Sequence, residues 1–484
     1  MKLAKKLGIL SVIIIISGAL IFAGCGEEAD NGENGEGEEN GQAESTDLQD
    51  GVYTASSEAG ERSYTEATVT VDDGEITDVK LYEFDNRGLK KGVDFAYNME
   101  RWAEQSEDLP EEFEYFTDVT DELEQKFVEA NSYEVDIISG ATGSTESAMD
   151  AVERALGKAK GETGPYDGTF MGVSDEGSRS WGIAWVTLED NEIVDVRLEE
   201  AGKPDAYEPA KKAELKDEDY DWDEFHEAKE ELPEAFIEAN SPDVDIITGA
   251  TGSSEGWKQA VARALANAER YERVTGYSEY SRGFVKADIV LDGEEFVDVS
   301  LVEYDDQGRR KEIDYQYDVE NWADNRDDYP EEYESLQEMH DDLIARFMDA
   351  NSAEIDTITG ATSTSEKAQD AVEKALTEGA FDGTFMGLSS VNERGGWNIA
   401  FVTFENSEIT EVELEEIQKT DDGDYEMKDE DYDWDEFHEA KEDLPEMFIE
   451  AEEPTEVDNI TGATGSVDRW KEAVKDAMEK ADIN

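Results

Sequence analysis

Four short motifs along the chain combine hydroxyl side chains with a glycine, a set of residue types suited to holding a phosphate. The motifs are Ser139-Gly140-Ala141-Thr142, Thr248-Gly249-Ala250-Thr251, Thr359-Gly360-Ala361-Thr362 and Thr461-Gly462-Ala463-Thr464. Glycine permits a tight turn and close backbone approach. Ser144, Thr145 and Glu146 follow the first motif and predict a helix start there, with hydroxyls accepting from the first amides. Those amides and the helix dipole favour a phosphate beside the last threonine.

A single motif of this kind has a second interpretation, because a Gly-Ala-Thr turn before a helix is also typical of a capped loop without a ligand. Four complete copies favour binding instead. Each copy has an aspartate three residues before its first hydroxyl residue, namely Asp136, Asp245, Asp356 and Asp458.

The elements that must position the motifs recur with them. Residues 67–71 and 76–81 alternate around Asp72-Asp73-Gly74, which predicts a β-hairpin. The corresponding turns are expected at Asp190-Asn191, Asp292-Gly293 and Asn406-Ser407. An acidic helical stretch, such as residues 232–239, precedes each motif.

A second helix is predicted after each motif. In the first copy its apolar face comprises Ala148, Val152, Ala155, Leu156 and Ala159. Since strands and helices occupy separate blocks, we expect an α+β fold in which each domain has an antiparallel sheet with helices.

Longer repeats group the domains in pairs. Residues 216–230 recur without change as 428–442, so a two-domain unit is duplicated. We expect domain A at 51–160, domain B at 164–268, domain A′ at 272–378 and domain B′ at 380–482.

These motifs resemble those of the FMN-binding domain family, and the resemblance covers nearly all of residues 51–481. It implies that a flavin transferase of the ApbE type joins FMN by a phosphoester to the last threonine of each motif. The implied attachment residues are Thr142, Thr251, Thr362 and Thr464, for up to four covalent FMN groups. Members of that family include flavin-carrying subunits of the sodium-pumping NADH:quinone reductase and the Rnf complex, and surface lipoproteins of extracellular electron transfer.

The N-terminus has the pattern of a secretory signal. Three lysines at positions 2, 5 and 6 precede an apolar run at 7–23, and then comes Cys25, the single cysteine. This resembles a lipoprotein signal peptide (1–24) with Cys25 as the lipidation site. An uncleaved membrane anchor is the alternative. Residues 25–50 read as an acidic, disordered linker. A lipid on Cys25 and an uncleaved anchor would both place the protein at the cell membrane, on its extracytoplasmic face.

The charge excludes some partners. Asp and Glu total 127 against 41 Lys and Arg, for a net charge of −86, so nucleic acid is not expected to bind. Disorder is one interpretation of such charge. However, 9 Trp, 19 Tyr and 18 Phe along the chain favour folded domains. An acidic shell of this size suggests a salt-adapted, halophilic source.

Several residues keep two interpretations. Trp257 and Trp470, six residues beyond their threonines, either stack on a flavin ring or belong to the core. Trp181 and Trp397 are further candidates for lining the site, or core residues. Alternating aspartates at 217–223 lack the glycine and final glutamate of an EF-hand, and His226, His340 and His438 lack metal-ligand spacing, so no metal is assigned.

No nicotinamide, P-loop or nucleophile-elbow motif is present. We therefore expect no catalytic residues and favour a non-enzymatic electron-transfer flavoprotein. It would relay electrons from a membrane quinone- or NADH-linked donor to an extracellular acceptor. The alternatives are a flavin-dependent extracellular reductase and a non-redox repeat protein of the surface.

Overall fold

A computed structural model describes residues 48–92, 113, 116–177, 179–202, 213–313, 317, 333, 335–377, 379–392, 394–420, 424–428, 432–451, 454 and 457–483. The expected signal peptide, Cys25 and the linker up to residue 47 lie outside these residues. Within them, no helix has the length and hydropathy that a membrane span requires.

Domains A and A′ share one arrangement of three strands followed by two helices. In domain A the elements are β1 (Gly51–Ser56), β2 (Ser63–Asp72), β3 (Glu75–Asp85), α1 (Phe116–Ala130) and α2 (Thr142–Ala159). In domain A′ they are β8 (Glu272–Tyr277), β9 (Phe284–Asp292), β10 (Glu295–Tyr304), α5 (Leu336–Ala350) and α6 (Thr362–Ala375).

Domains B and B′ add a short fourth strand at the sheet edge. In domain B the elements are β4 (Gly168–Val173), β5 (Ser180–Glu189), β6 (Glu192–Gly202), β7 (Glu214–Leu215), α3 (Asp223–Ala239) and α4 (Thr251–Asn267). In domain B′ they are β11 (Gly383–Leu388), β12 (Trp397–Glu405), β13 (Glu408–Lys419), β14 (Tyr425–Met427), α7 (Asp435–Glu450) and α8 (Thr464–Lys480).

All four sheets are antiparallel, with strands in sequence order, so the α+β prediction is confirmed. The hairpin around Asp73-Gly74 forms where it was predicted, with positive φ at both turn residues (49° and 76°). In domain A′ the turn comprises Gly293-Glu294, one residue later than predicted, because Asp292 still pairs with Glu295. The hairpin prediction missed the first strand of each sheet.

The two helices of each domain cover one face of its sheet. In domain A the predicted apolar face of α2 is fully buried, together with Val69 of β2 and Phe127 of α1. Each Val, Leu or Phe side chain buried in this way contributes roughly 1.5–3 kcal/mol. Leu48 packs into the same core, so the folded part of the chain extends at least three residues before β1.

The opposite face of the sheet joins domains in pairs. Trp181 of domain B is 5% exposed and its Nε1 donates to the carbonyl of Arg87 in domain A at 2.6 Å. Trp397 of domain B′ makes the same contact with Gln307 of domain A′ at 2.8 Å. Trp181 is therefore a core residue, as one of its two interpretations held, and its core cluster lies between domains A and B, while Trp397 packs against the corresponding cluster between A′ and B′.

Candidate functional site

Each motif forms a tight turn that leads directly into a helix. Its glycine has positive φ, between 82° and 95° in the four copies, and therefore occupies a conformation that other residues rarely adopt. Helices α2, α4, α6 and α8 begin at the last threonine of the motif. The alanine before that threonine is the N-cap residue in every copy, and it is buried.

The residues after the threonine do not cap the helix as the sequence suggested. Since the helix already begins at Thr142, the buried hydroxyl of Thr145 lies inside it and donates to the Ala141 carbonyl at 3.0 Å. The same hydroxyl accepts from the amide of Ile138 at 3.3 Å and so fixes the incoming chain to the helix. Ser254 and Ser365 form the same brace, whereas Val467 has no hydroxyl to form it.

This local arrangement leaves the helix N-terminus open. None of the four motif helices has a side chain hydrogen-bonded as its N-cap, although α5 has one in Ser335. The last threonine of every motif is exposed, as is the upstream aspartate. Uncapped first-turn amides beside an exposed hydroxyl suit a phosphate group.

Trp257 and Trp470 belong to the core. Both are 0% exposed and lie beside Phe225 and Phe437, with ring centroids 5.4 and 5.5 Å apart. Their Nε1 atoms donate to the carbonyls of Glu199 and Glu415 at 2.7 and 2.8 Å. Because no ring face is open to solvent, neither tryptophan can stack on a bound flavin in this structure.

A cavity of about 780 Å³ opens beside the motif of domain B′. Its volume lies in the range of pockets that bind small molecules and cofactors. It is lined by the motif residues Gly462 and Ala463, by Ser466 and Arg469 of the first turns of α8, and by Trp434. The Trp434 side chain is 46% exposed, so it offers an accessible aromatic surface that Trp470 does not.

A buried glutamate paired with a lysine recurs in all four domains. The glutamates are Glu83, Glu200, Glu303 and Glu416, each 2–4% exposed, and the lysines are Lys91, Lys216, Lys311 and Lys428. In every domain the lysine backbone N–H also donates to the glutamate carbonyl, at 2.8–2.9 Å. In domain B′ both Glu416 and Lys428 line the cavity, so this pair lies within the site.

Sequence reasoning missed these pairs. The signal for the acid was present, because Glu83 follows Val79 and Leu81 on the buried side of β3. The segment 216–230, repeated unchanged as 428–442, contains Lys216, Lys428 and Trp434, and its repetition could have pointed to them. In a chain with so many carboxylates, an acidic residue on a buried strand face does not stand out.

In domain A′ several cations surround the buried glutamate. Burial alone would raise the pKa of the Glu303 carboxyl, but the facing His340, Lys311 and Lys367 hold that pKa well below its ordinary value. Lys311 and Lys367 both contact Glu303 Oε1 at 2.9 Å. The carboxylate therefore stays ionised next to two ammonium groups.

The residues present fit FMN. In domains A and B the buried atoms Glu83 Oε2 and Glu200 Oε2 have no hydrogen-bond partner among the described residues. Such atoms are costly unless a ligand or water donates to them. The flavin ring carries a donor N–H between two carbonyls, which matches a carboxylate beside an ammonium group. The open helix N-terminus would hold the phosphate, and bound FMN would supply reversible redox chemistry.

Comparison with known proteins identifies the family of the chain. The CPE2226 protein from Clostridium perfringens, known from a crystal structure, is 26% identical over 24% of this chain and 90% of its own, with a TM-score of 0.20. None of the curated proteins matches the chain. The profile of the FMN-binding domain matches residues 60–157, 180–266, 281–377 and 395–479. The chain is therefore a member of the FMN-binding domain family, with four FMN-binding domains in tandem.

Proposed function

We propose that FMN is joined by a phosphoester to Thr142, Thr251, Thr362 and Thr464. The main support for this proposal is that each of these threonines is exposed at the first position of a helix that lacks a side-chain cap. A flavin transferase of the ApbE type can reach such a hydroxyl without unfolding the domain. The donor is a flavin dinucleotide: the threonine oxygen attacks the phosphorus of its FMN half, the phosphoanhydride bond breaks, AMP leaves, and the hydroxyl proton is released.

The protein acts as an electron carrier at the extracytoplasmic face of the cell membrane. Cys25 carries the lipid that holds the protein at the membrane, and the four domains pass electrons from a membrane donor to an extracellular acceptor. The donor is a quinone- or NADH-linked membrane enzyme. Support for electron carriage over substrate chemistry comes from the motif threonines, which are exposed to solvent in all four domains.

Intact mass spectrometry tests the covalent linkage. The full chain is produced with and without a flavin transferase, as the wild type and as Thr→Ala variants at each site. Each variant should lose the mass of one FMN less one water, whereas Thr142→Ser should retain it. Thr77→Ala, at an exposed threonine outside the motifs, is the matched control and should keep all four. Identical masses with and without the transferase would reject the proposal.

Fractionation and kinetics test the carrier role. Cys25→Ala should move the flavin from the membrane fraction to the soluble fraction. The reduced protein should donate electrons to several unrelated one-electron acceptors at comparable rates. Rapid oxidation by a single small substrate, and slow oxidation by all generic acceptors, would support the reductase alternative instead.

A further inference from the structure

The two halves of the chain differ at one position of the motif helix, five residues beyond the attachment threonine. In the first half, domains A and B, this position is Ser147 and Gly256. In the second half, domains A′ and B′, it is Lys367 and Arg469. Domain A can therefore be compared with A′, and B with B′, at this position. All four domains have an acidic residue at the preceding position, so that neighbour does not distinguish the halves.

In the second half this added cation reaches the buried glutamate of the site. Lys367 Nζ lies 2.9 Å from Glu303 Oε1, and the Lys367 side chain is only 11% exposed. Arg469 Nη2 lies 3.8 Å from Glu416 Oε1, and Arg469 also lines the cavity next to the motif. Thus each glutamate of the second half faces two cations.

In the first half the corresponding positions contribute no charge. Ser147 Oγ is hydrogen-bonded to Ser57 Oγ at 2.8 Å, and Gly256 lies against the backbone of Gly182. Among the described residues, Lys91 is the only cation paired with Glu83 and Lys216 the only cation paired with Glu200. Each first-half glutamate is therefore paired with one cation, whereas each second-half glutamate has a second ammonium or guanidinium group beside it.

We infer that this charge difference makes the second-half flavins the stronger electron acceptors, so that electrons pass from domains A and B to domains A′ and B′. The inference rests on the proposed function and adds a direction to it. A fixed positive charge in a partly buried site stabilises a ring that becomes more negative on reduction. Electrons lost by the first-half flavins are those gained by the second-half flavins, so the internal transfer needs no other reactant.

The halves also touch each other, as such a transfer requires. Arg263 of domain B contacts Asp298 of domain A′ at 3.0 Å. Lys475 of domain B′ contacts Asp78 of domain A at 2.5 Å.

Redox titration of single-flavin proteins tests the inference. The full chain is prepared in four forms, each with Thr→Ala at three motifs, and the midpoint potential is followed by absorbance. The Thr362 form should have a higher potential than the Thr142 form, and the Thr464 form a higher potential than the Thr251 form. We expect each difference to reach about tenfold in the redox equilibrium, or about 30 mV for a two-electron couple.

Charge variants separate the effect from general structural change. Lys367→Met recreates the single-lysine arrangement of domain A and should lower the Thr362 potential, whereas Lys367→Arg should restore it. Ser147→Lys should raise the Thr142 potential. Arg469→Met and Arg469→Lys form the equivalent pair in domain B′.

Equal potentials in matched domains, or no shift in Lys367→Met and Arg469→Met, would overturn the inference. Failure of the proposed function would give a different result. The single-flavin proteins would then show no covalent flavin in their intact mass, and they could not be titrated. A shift in potential without any change in flavin content supports the inference.

Discussion

Lys475 Nζ lies 2.5 Å from Asp78 Oδ2, although the two residues belong to the last and the first domain. Asp78 occupies the place in β3 that Asp298 occupies in β10, and Asp298 contacts Arg263 of α4. Consecutive contacts A–B, B–A′, A′–B′ and B′–A thus close the four domains into one ring. The duplicated sequence is reflected in a duplicated set of interfaces.

Two of the contacts that join the halves, Arg263–Asp298 and Lys475–Asp78, should differ in strength. Arg263 and Asp298 are 13% and 10% exposed, so Arg263→Met leaves a carboxylate buried and should cost about 3–5 kcal/mol of unfolding free energy. Lys475 and Asp78 are 39% and 34% exposed, so Lys475→Met should cost less than about 1 kcal/mol. Denaturant unfolding of both variants measures the difference, and equal losses would contradict it.

Truncation of the buried Trp470 and of the exposed Trp434 in domain B′ should affect different properties, namely stability and flavin fluorescence. Trp470→Ala removes a fully buried ring and should destabilise the domain by about 3–5 kcal/mol. Trp434→Ala should leave stability nearly unchanged but increase the fluorescence of flavin in the Thr464 form, because an aromatic contact that quenches it is lost. Unchanged fluorescence would remove Trp434 from the site.

Glu303 should stabilise the folded protein at neutral pH and lose this stabilising effect in acid. Its folded-state pKa lies below the ordinary value of 4.5, so its stabilising effect is complete above that pH and is lost as the pH falls further. The stability difference between wild type and Glu303→Gln should therefore shrink steadily below about pH 4.5. Glu294→Gln, on the exposed hairpin turn, controls for the loss of one negative charge. A difference that grows on acidification would show that the sign is wrong.

Salt should stabilise the protein. A net charge of −86 makes the folded chain repel itself, and the screening length falls from about 10 Å at 0.1 M to about 3 Å at 1 M. The unfolding free energy should rise over that range of potassium chloride. Sucrose at matched osmolality is the control, and a decrease with added salt would contradict the expectation.

Local patterns were enough to predict the hairpin around Asp73-Gly74 and the apolar face of α2. The first strand, residues 51–56, was missed because glycine, threonine and serine leave it little apolar alternation. The position of Trp181 could not be predicted either, since its partner, the Arg87 carbonyl, is 94 residues away in another domain. Likewise, the pairing of Glu416 with Lys428 follows from strand register, which single-sequence patterns do not specify.

Tandem mass spectrometry of the four motif peptides tests the central claim most directly. After production with a flavin transferase, the account predicts a fragment series in which the FMN phosphoester is located on Thr142, Thr251, Thr362 and Thr464. Peptides that carry no flavin, or flavin located on any other residue, would contradict it.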